Sequence, residues 1–234
     1  MTNLNSEHII GEERVGDGIA FAKRMVEEAE RMWSSGGWKR ERNKGGVLVE
    51  SKPVAGVLAP ANIRVMRSSG EISADSQTAF AFLTSPAGFA ILDPVSKAED
   101  HQLPPLEQYT WRKNSRLEAA IASAKEVPML PEVEFVVLNA IDYDSCRFVS
   151  KSILHDQRPG GSHYSGEPPV PSAKPRALNT FAVKTLSLSH NRCQLLCINY
   201  VDMGAKGPSW IYDFINRRYF APLYRRLSAE LAKR

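Results

Sequence analysis

The chain has 234 residues, of which 43% are hydrophobic and 24% charged, with a formal net charge of +4. That apolar share excludes disorder over the whole length, and a chain of this size buries roughly 70–75% of its unfolded surface, so it needs no disulfide or structural metal to fold. No run of about 18 uninterrupted apolar residues is present, so no membrane-spanning helix is expected.

The first fourteen residues are polar and lack the apolar core of a secretory signal. Three cysteines, Cys146, Cys193 and Cys197, form no CxxC pair and no zinc pattern. Both features point to free, buried thiols in a reducing, cytoplasmic setting. The charge is uneven. Acidic residues outnumber basic ones seven to four over residues 1–33, and basic residues outnumber acidic ones seven to two over 206–234. A basic C-terminus suits phosphate groups as neighbours, or it is simply a solvated helix face.

In chain order, residues 1–16 read as an N-terminal extension. Asp17 to Trp33 carries apolar residues at three- and four-residue steps and reads as a helix, ended by Ser34-Ser35-Gly36-Gly37. Trp38 opens a new pattern. Gly45 to Ser51 and Asn62 to Arg67 read as strands of a meander. Ser73 to Leu83 reads as a helix with Ser73 or Asp75 as its cap, and Ser85-Pro86 starts a short helix through Leu92. Asp93 to Leu106 is mixed and polar. Glu107 to Arg112 and Arg116 to Ala124 fit helix or strand equally. Glu134 to Tyr143 and Cys146 to Leu154 read as strands joined at Asp144-Ser145. Gln157 to Pro175, rich in proline and glycine, reads as a long surface loop. Ala177 to Ser187 and Cys193 to Val201 read as the last strands, turning at His190-Asn191. Ser209 to Lys233 reads as a long amphipathic helix with Tyr212, Ile215, Tyr219, Phe220, Leu223, Tyr224, Leu227 and Leu231 on its apolar stripe, and with a bend at Pro222. Six or so consecutive strands followed by a terminal helix indicate an α+β fold with an antiparallel sheet.

Catalytic and nucleotide-binding signatures are absent. There is no GxxxxGK[ST], no GxGxxG after a strand, no HExxH and no GxSxG. His8, His101, His155, His163 and His190 are scattered, and Asp142 and Asp144 sit where turn chemistry favours aspartate. No zinc-finger spacing or RNP-type strand accompanies the basic residues, so nucleic acid is not an expected partner.

Several segments together resemble a START (StAR-related lipid transfer) domain of the helix-grip superfamily, over about Asp17 to Leu231. Trp38 with Gly46-Val47-Leu48-Val49-Glu50-Ser51 is similar to the family's first strand. Glu134-Phe135-Val136 stands at its Arg-Asp-Phe-Val strand, and Cys146 to His155 resembles the next. Pro175-Arg176-Ala177 is similar to the opening of the penultimate strand. Tyr200 to Trp210 resembles the Asp-x-x-Gly-x-x-Pro-x-Trp entry into the last helix. The sequence departs from the family at Val133 and Glu134, which replace the arginine and aspartate of that strand, and at Asn139, which aligns with a buried arginine of sterol-type members.

The resemblance implies a helix-grip fold, in which a curved antiparallel sheet wraps a long C-terminal helix around an internal hydrophobic tunnel, formed as a single domain over 17–234. It implies one lipid ligand, such as a phospholipid or sterol, and lipid transfer without catalysis, cofactor or metal. Asn139 in place of arginine favours a neutral or zwitterionic ligand. Strand alternation puts Phe135, Val137, Asn139 and Ile141 on one face, and the resemblance turns that face inward, with Phe148, Ser150 and Ser152 opposite. The implied ligand contacts are Phe135, Val137, Asn139, Phe148, Ser150, Asn179, Met203, Tyr212, Asn216, Tyr219, Leu223 and Leu227. The implied gate is the 125–132 loop with Pro128, Met129 and Leu130, beside the C-terminal helix. Arg217, Arg218 and Arg225 would touch an anionic membrane transiently, and the protein would act as a cytoplasmic monomer. An enzyme of the polyketide cyclase or aromatase type, and a filled-core interaction protein, are the competing readings.

Overall fold

A computed structural model describes residues 15–55, 62–92, 113–123, 133–152, 177–202, 220 and 222–233. The chain begins with helix α1 (Val15–Ser34). Strands β1 (Lys39–Lys44), β2 (Val47–Ala55) and β3 (Asn62–Ile72) follow. Two short helices, α2 (Ser76–Leu83) and α3 (Pro86–Leu92), lead to β4 (Ser115–Ser123), β5 (Glu134–Asp142), β6 (Arg147–Ser152), β7 (Leu178–Ser189) and β8 (Arg192–Asp202). Helix α4 is described over 222–231.

The eight strands form one antiparallel sheet in the order β1-β2-β3-β8-β7-β6-β5-β4. Two meanders meet where β3 pairs with β8, which joins the start of the chain to its end. The sheet is curved and not closed, so β1 and β4 are its edges.

The periodicities predict most of these elements. The differences lie in charged or glycine-containing segments. Gly45 and Gly46 belong to a tight turn, with φ of 62° and 75°, not to the strand expected over Gly45 to Ser51. Left-handed backbone at both central residues is what a two-residue hairpin needs, and glycine supplies it without a Cβ clash. The strand before that turn, β1 (KRERNK), was not expected, because it has no apolar alternation. It is an edge strand with an exposed or half-buried surface throughout, where charge protects against edge-to-edge pairing. Arg116 to Ala124, ambiguous by pattern, is the other edge strand, β4. Asp75 caps α2, its carboxylate accepting from the Thr78 amide at 2.9 Å, and these bonds hold its pKa below the usual carboxylate value. The readings over 1–14, 93–112, 157–175 and 203–219 lie outside the described residues.

Each face of the sheet has its own cover. Ala22, Met25, Val26 and Ala29 of α1 pack on Val65, Leu138, Ala140, Val149, Ala182 and Ile198. Around that contact, Glu28 pairs with Lys151, and Glu30 holds both Arg147 and Lys184 at 2.9 Å. The other, concave face carries the larger cluster, which takes in α2, α3 and α4.

Candidate functional site

Strand register sorts the concave face into rows. One row runs Ile141, Phe148, Val183, Cys197, Ser68, Val49 across six strands. All six are buried. Phe148 meets Phe89 of α3 edge-on at 5.1 Å, and Phe220, Leu223, Tyr224 and Leu227 close over the same cluster. The Tyr224 hydroxyl donates to the Leu195 carbonyl at 2.9 Å and lies 3.2 Å from Ser68 Oγ. Its ring packs against Gly70, where a Cβ would come within 2.8 Å of it. This half of the concave face is packed shut.

The next row, Asn139, Ser150, Phe181, Asn199, Met66, Ser51, is different in kind. Asn139 and Asn199 keep part of their surface exposed, as do Phe135, Asn179, Val201 and Arg64 one step farther along their strands. These positions lie on interior strands and point to the side the helices cover. Alternation alone would bury them, so among the described residues the concave face is left partly uncovered at this end. The open half is also polar. Asn139 Oδ1 and Asn179 Oδ1 are closed off from solvent and have no hydrogen-bond partner. The Asn179 backbone N–H donates to Ser152 Oγ at 2.7 Å. A buried acceptor left unpaired costs about 1–3 kcal/mol.

Two ion pairs reach into this region that the sequence reading did not single out. Arg64 Nη1 donates to Glu41 Oε1 and to Ser51 Oγ, each at 2.7 Å, and the Glu41 side chain is only 6% exposed. On the far edge strand Arg116 pairs with Glu118, which stands opposite Asn139. Arg64 was legible in principle, since it alternates with Met66, Ser68 and Ile72 along β3. Glu41 was not, because the irregularity between Arg40 and Arg42 shifts the register of β1.

Of the expected ligand contacts, Phe135, Val137, Asn139, Phe148, Ser150 and Asn179 share the concave face, as strand alternation predicts. Phe148, Leu223 and Leu227 lie in the packed half, and Phe135, Asn139, Ser150 and Asn179 in or beside the open half. Arg225 is exposed on α4. Met203, Tyr212, Asn216, Tyr219, Pro128, Met129, Leu130, Arg217 and Arg218 lie outside the described residues.

Nucleophilic chemistry has little support in the described residues. Burial pushes the Cys193 thiol up to about 11 and Cys197 to about 12, and it raises Cys146 as well. These are inert thiols at neutral pH. Among the described residues no cluster of three or more His, Cys, Asp or Glu could hold a metal ion, and no helix is long and apolar enough to cross a membrane.

No protein-family model and no curated protein matches the sequence. Solved structures do match. Human StAR-related lipid transfer protein 5 superimposes with a TM-score of 0.69 at 16% identity, covering 93% of this chain and 98% of that one. Human STARD10 gives 0.61 at 13% identity, over 96% of this chain and 83% of that one. A STAR-related lipid transfer protein fragment from Xanthomonas axonopodis gives 0.58 at 13% identity, over 84% and 99%. At these identities the likeness speaks for architecture, and it agrees with the sheet order and with the helix seated on the concave face. The chain has the START, or helix-grip, fold.

Proposed function

We propose that this protein binds one lipid, or a comparable hydrophobic molecule, on the open half of its concave face and carries it between membranes without chemical change. The observation that carries this reading is the division of that face, where one half is sealed by α2, α3 and α4 and the other still has partly exposed inward residues on interior strands. An enclosed, partly apolar recess bounded by a few convergent polar groups is what a small-molecule site requires. Burying an acyl chain there supplies about 0.8 kcal/mol per methylene, enough to retain a long chain against water. The neighbours with lipid transfer in their names favour the same reading.

In this proposal residues 17–234 act as a single lipid-binding domain, a monomer in the cytoplasm. The contacts named from sequence on the open half, from Phe135 and Asn139 on β5 to Asn216 and Tyr219 on the last helix, line the ligand, while Phe148, Leu223 and Leu227 back it from the packed half. The 125–132 loop and the C-terminal helix form the gate, and its opening is the slow step, as for other lids. Arg217, Arg218 and Arg225 meet anionic headgroups, each contributing about 1 kcal/mol at such a surface.

Native mass spectrometry of the protein purified from cells, followed by organic extraction, tests this. One lipid per chain is the expected result. A chain that carries nothing and takes up no lipid from vesicles contradicts the reading.

A further inference from the structure

Edge strand β1 carries a row of unbalanced charge that the lipid-holding reading does not use. We propose that this edge takes an extended acidic segment of a partner protein as an added strand. The segment's carboxylates would stand against Lys39, Arg42 and Lys44 on one face of the sheet and against Arg40 on the other.

Three observations carry this. The first is how charge is sorted. β1 reads KRERNK, with four basic residues and one acid. The acid, Glu41, sits at the irregularity between Arg40 and Arg42, which lets it turn inward. There its side chain is only 6% exposed, and its carboxylate accepts from Arg64 and from Ser51 at 2.7 Å. The acid opposite Arg40 on β2, Glu50, is likewise taken by Arg67 at 2.7 Å. Both nearby carboxylates therefore serve arginines of β3. Lys39, Arg40, Arg42 and Lys44 have no ion pair among the described residues. Lys39, Arg40 and Lys44 are exposed and Arg42 is half-buried. Four like charges this close repel one another, and an anionic partner relieves that repulsion.

The second is the backbone. β1 pairs only with β2, so the N–H and C=O groups of its outer side face away from the sheet. A peptide strand offers both donors and acceptors to such an edge. A layer of phosphates offers chiefly acceptors and would set its charge against the outward carbonyls.

The third is the facing of the side chains. Register puts Lys39, Arg42 and Lys44 opposite Ser51, Val49 and Val47, on the concave side, and Arg40 opposite Glu50 on the other. An extended segment alternates its side chains to the same two faces, and opposite charges directly across a strand pair are the favourable arrangement. β1 has no apolar side chain to enter a bilayer. Its six residues span roughly 20 Å, which a segment of similar length matches.

The test uses the full chain and three fluorescent peptides of about eight residues, enough to cover the strand. One alternates glutamate with threonine, and one alternates lysine with threonine. The third is the glutamate peptide with its backbone nitrogens methylated, which keeps the charge but removes the strand-pairing donors. Binding is read by anisotropy, and hydrogen exchange maps the amides that become protected. The glutamate peptide is expected to bind at least about tenfold tighter than either control, to weaken as salt is raised, and to protect β1. Arg42→Glu combined with Lys44→Glu is expected to reverse the preference, so that the lysine peptide binds the variant, with the melting temperature checking that the variant is folded. Equal binding of the methylated peptide overturns the proposal and leaves a charged surface without strand addition. An unchanged preference in the folded variant overturns it too. So does failure of the glutamate peptide to bind; if phosphatidylserine vesicles then bind the unaltered chain and not the variant, the edge is a membrane contact instead. The peptide comparison needs only the unaltered chain, so a variant that does not fold decides nothing. No lipid loading is measured, so each outcome leaves the lipid-holding reading where it stands.

Discussion

Tyr224 shows how a single residue fixes the closed half of the site. Its ring occupies the space a side chain at position 70 would take, and its hydroxyl closes a buried bond to the Leu195 carbonyl. Gly70→Ala forces ring and Cβ to within 2.8 Å. The expected cost is about 1–3 kcal/mol, the range for overpacking a core, read as a fall in the denaturation midpoint with unchanged m. Tyr224→Phe keeps the packing but removes the buried hydroxyl with its bonds to the Leu195 carbonyl and Ser68, and about 1–2 kcal/mol of stability is expected to go. The stripe that places Tyr224 inward was legible from the three- and four-residue spacing of the last helix. Its need for glycine at 70 was not, because that contact spans more than 150 positions of sequence and no local pattern records it.

The buried thiols predict a pH dependence at the same scale. Cys193 is raised from its ordinary 9.0 to about 11 and Cys197 to about 12. Between pH 9 and those values the unfolded chain releases protons that the folded chain keeps, so stability falls as pH rises through this window and is unaffected by these groups below it. Urea midpoints at pH 8 and pH 10.5 check the sign, with the lower midpoint expected at pH 10.5. Alkylation at pH 8 is expected to spare all three cysteines until the chain unfolds.

At the scale of elements, α1 is attached to the sheet by apolar contacts and by the Glu28–Lys151 pair beneath it. Burial pulls the Lys151 ammonium below its ordinary value while Glu28 acts against that shift. Removing one partner takes the ion-pair contact from a charge that remains buried. Glu28→Leu or Lys151→Met alone is therefore expected to cost about 3–5 kcal/mol, while the double variant recovers most of the loss. A double-mutant cycle on chemical unfolding reads this directly. The helix itself was legible, since Met25, Val26, Ala29 and Trp33 mark one face. The pair was not, because Lys151 reads as an ordinary exposed lysine until β6 is known to be covered on both sides. The edge strands carried the weakest signals for the opposite reason. β1 and β4 each pair on one side only, so packing imposes little apolar alternation on them.

At the scale of the molecule, the element order and the α+β architecture follow from the change of period after β8 and from six or so strand patterns, and the fold agrees with that expectation. Which part of the concave face stays open was not legible. Alternation gives Phe148 and Asn139 the same inward assignment. Only the register across six strands separates the row under α3 and α4 from the row beside it, and register is a property of pairing and not of any one segment. The same is true of Arg64 and Glu41, which become neighbours only when β1, β2 and β3 are aligned.

The central claim is that a lipid lies on the open half of the concave face. It is tested most directly by loading the full chain with a lipid carrying a photoactivatable group in its acyl chain and mapping the cross-linked residues. The account predicts adducts on β5, β7 and β8, around Phe135, Val137, Asn179 and Val201. Adducts confined to the α1 face of the sheet, or spread evenly over the surface, would contradict it.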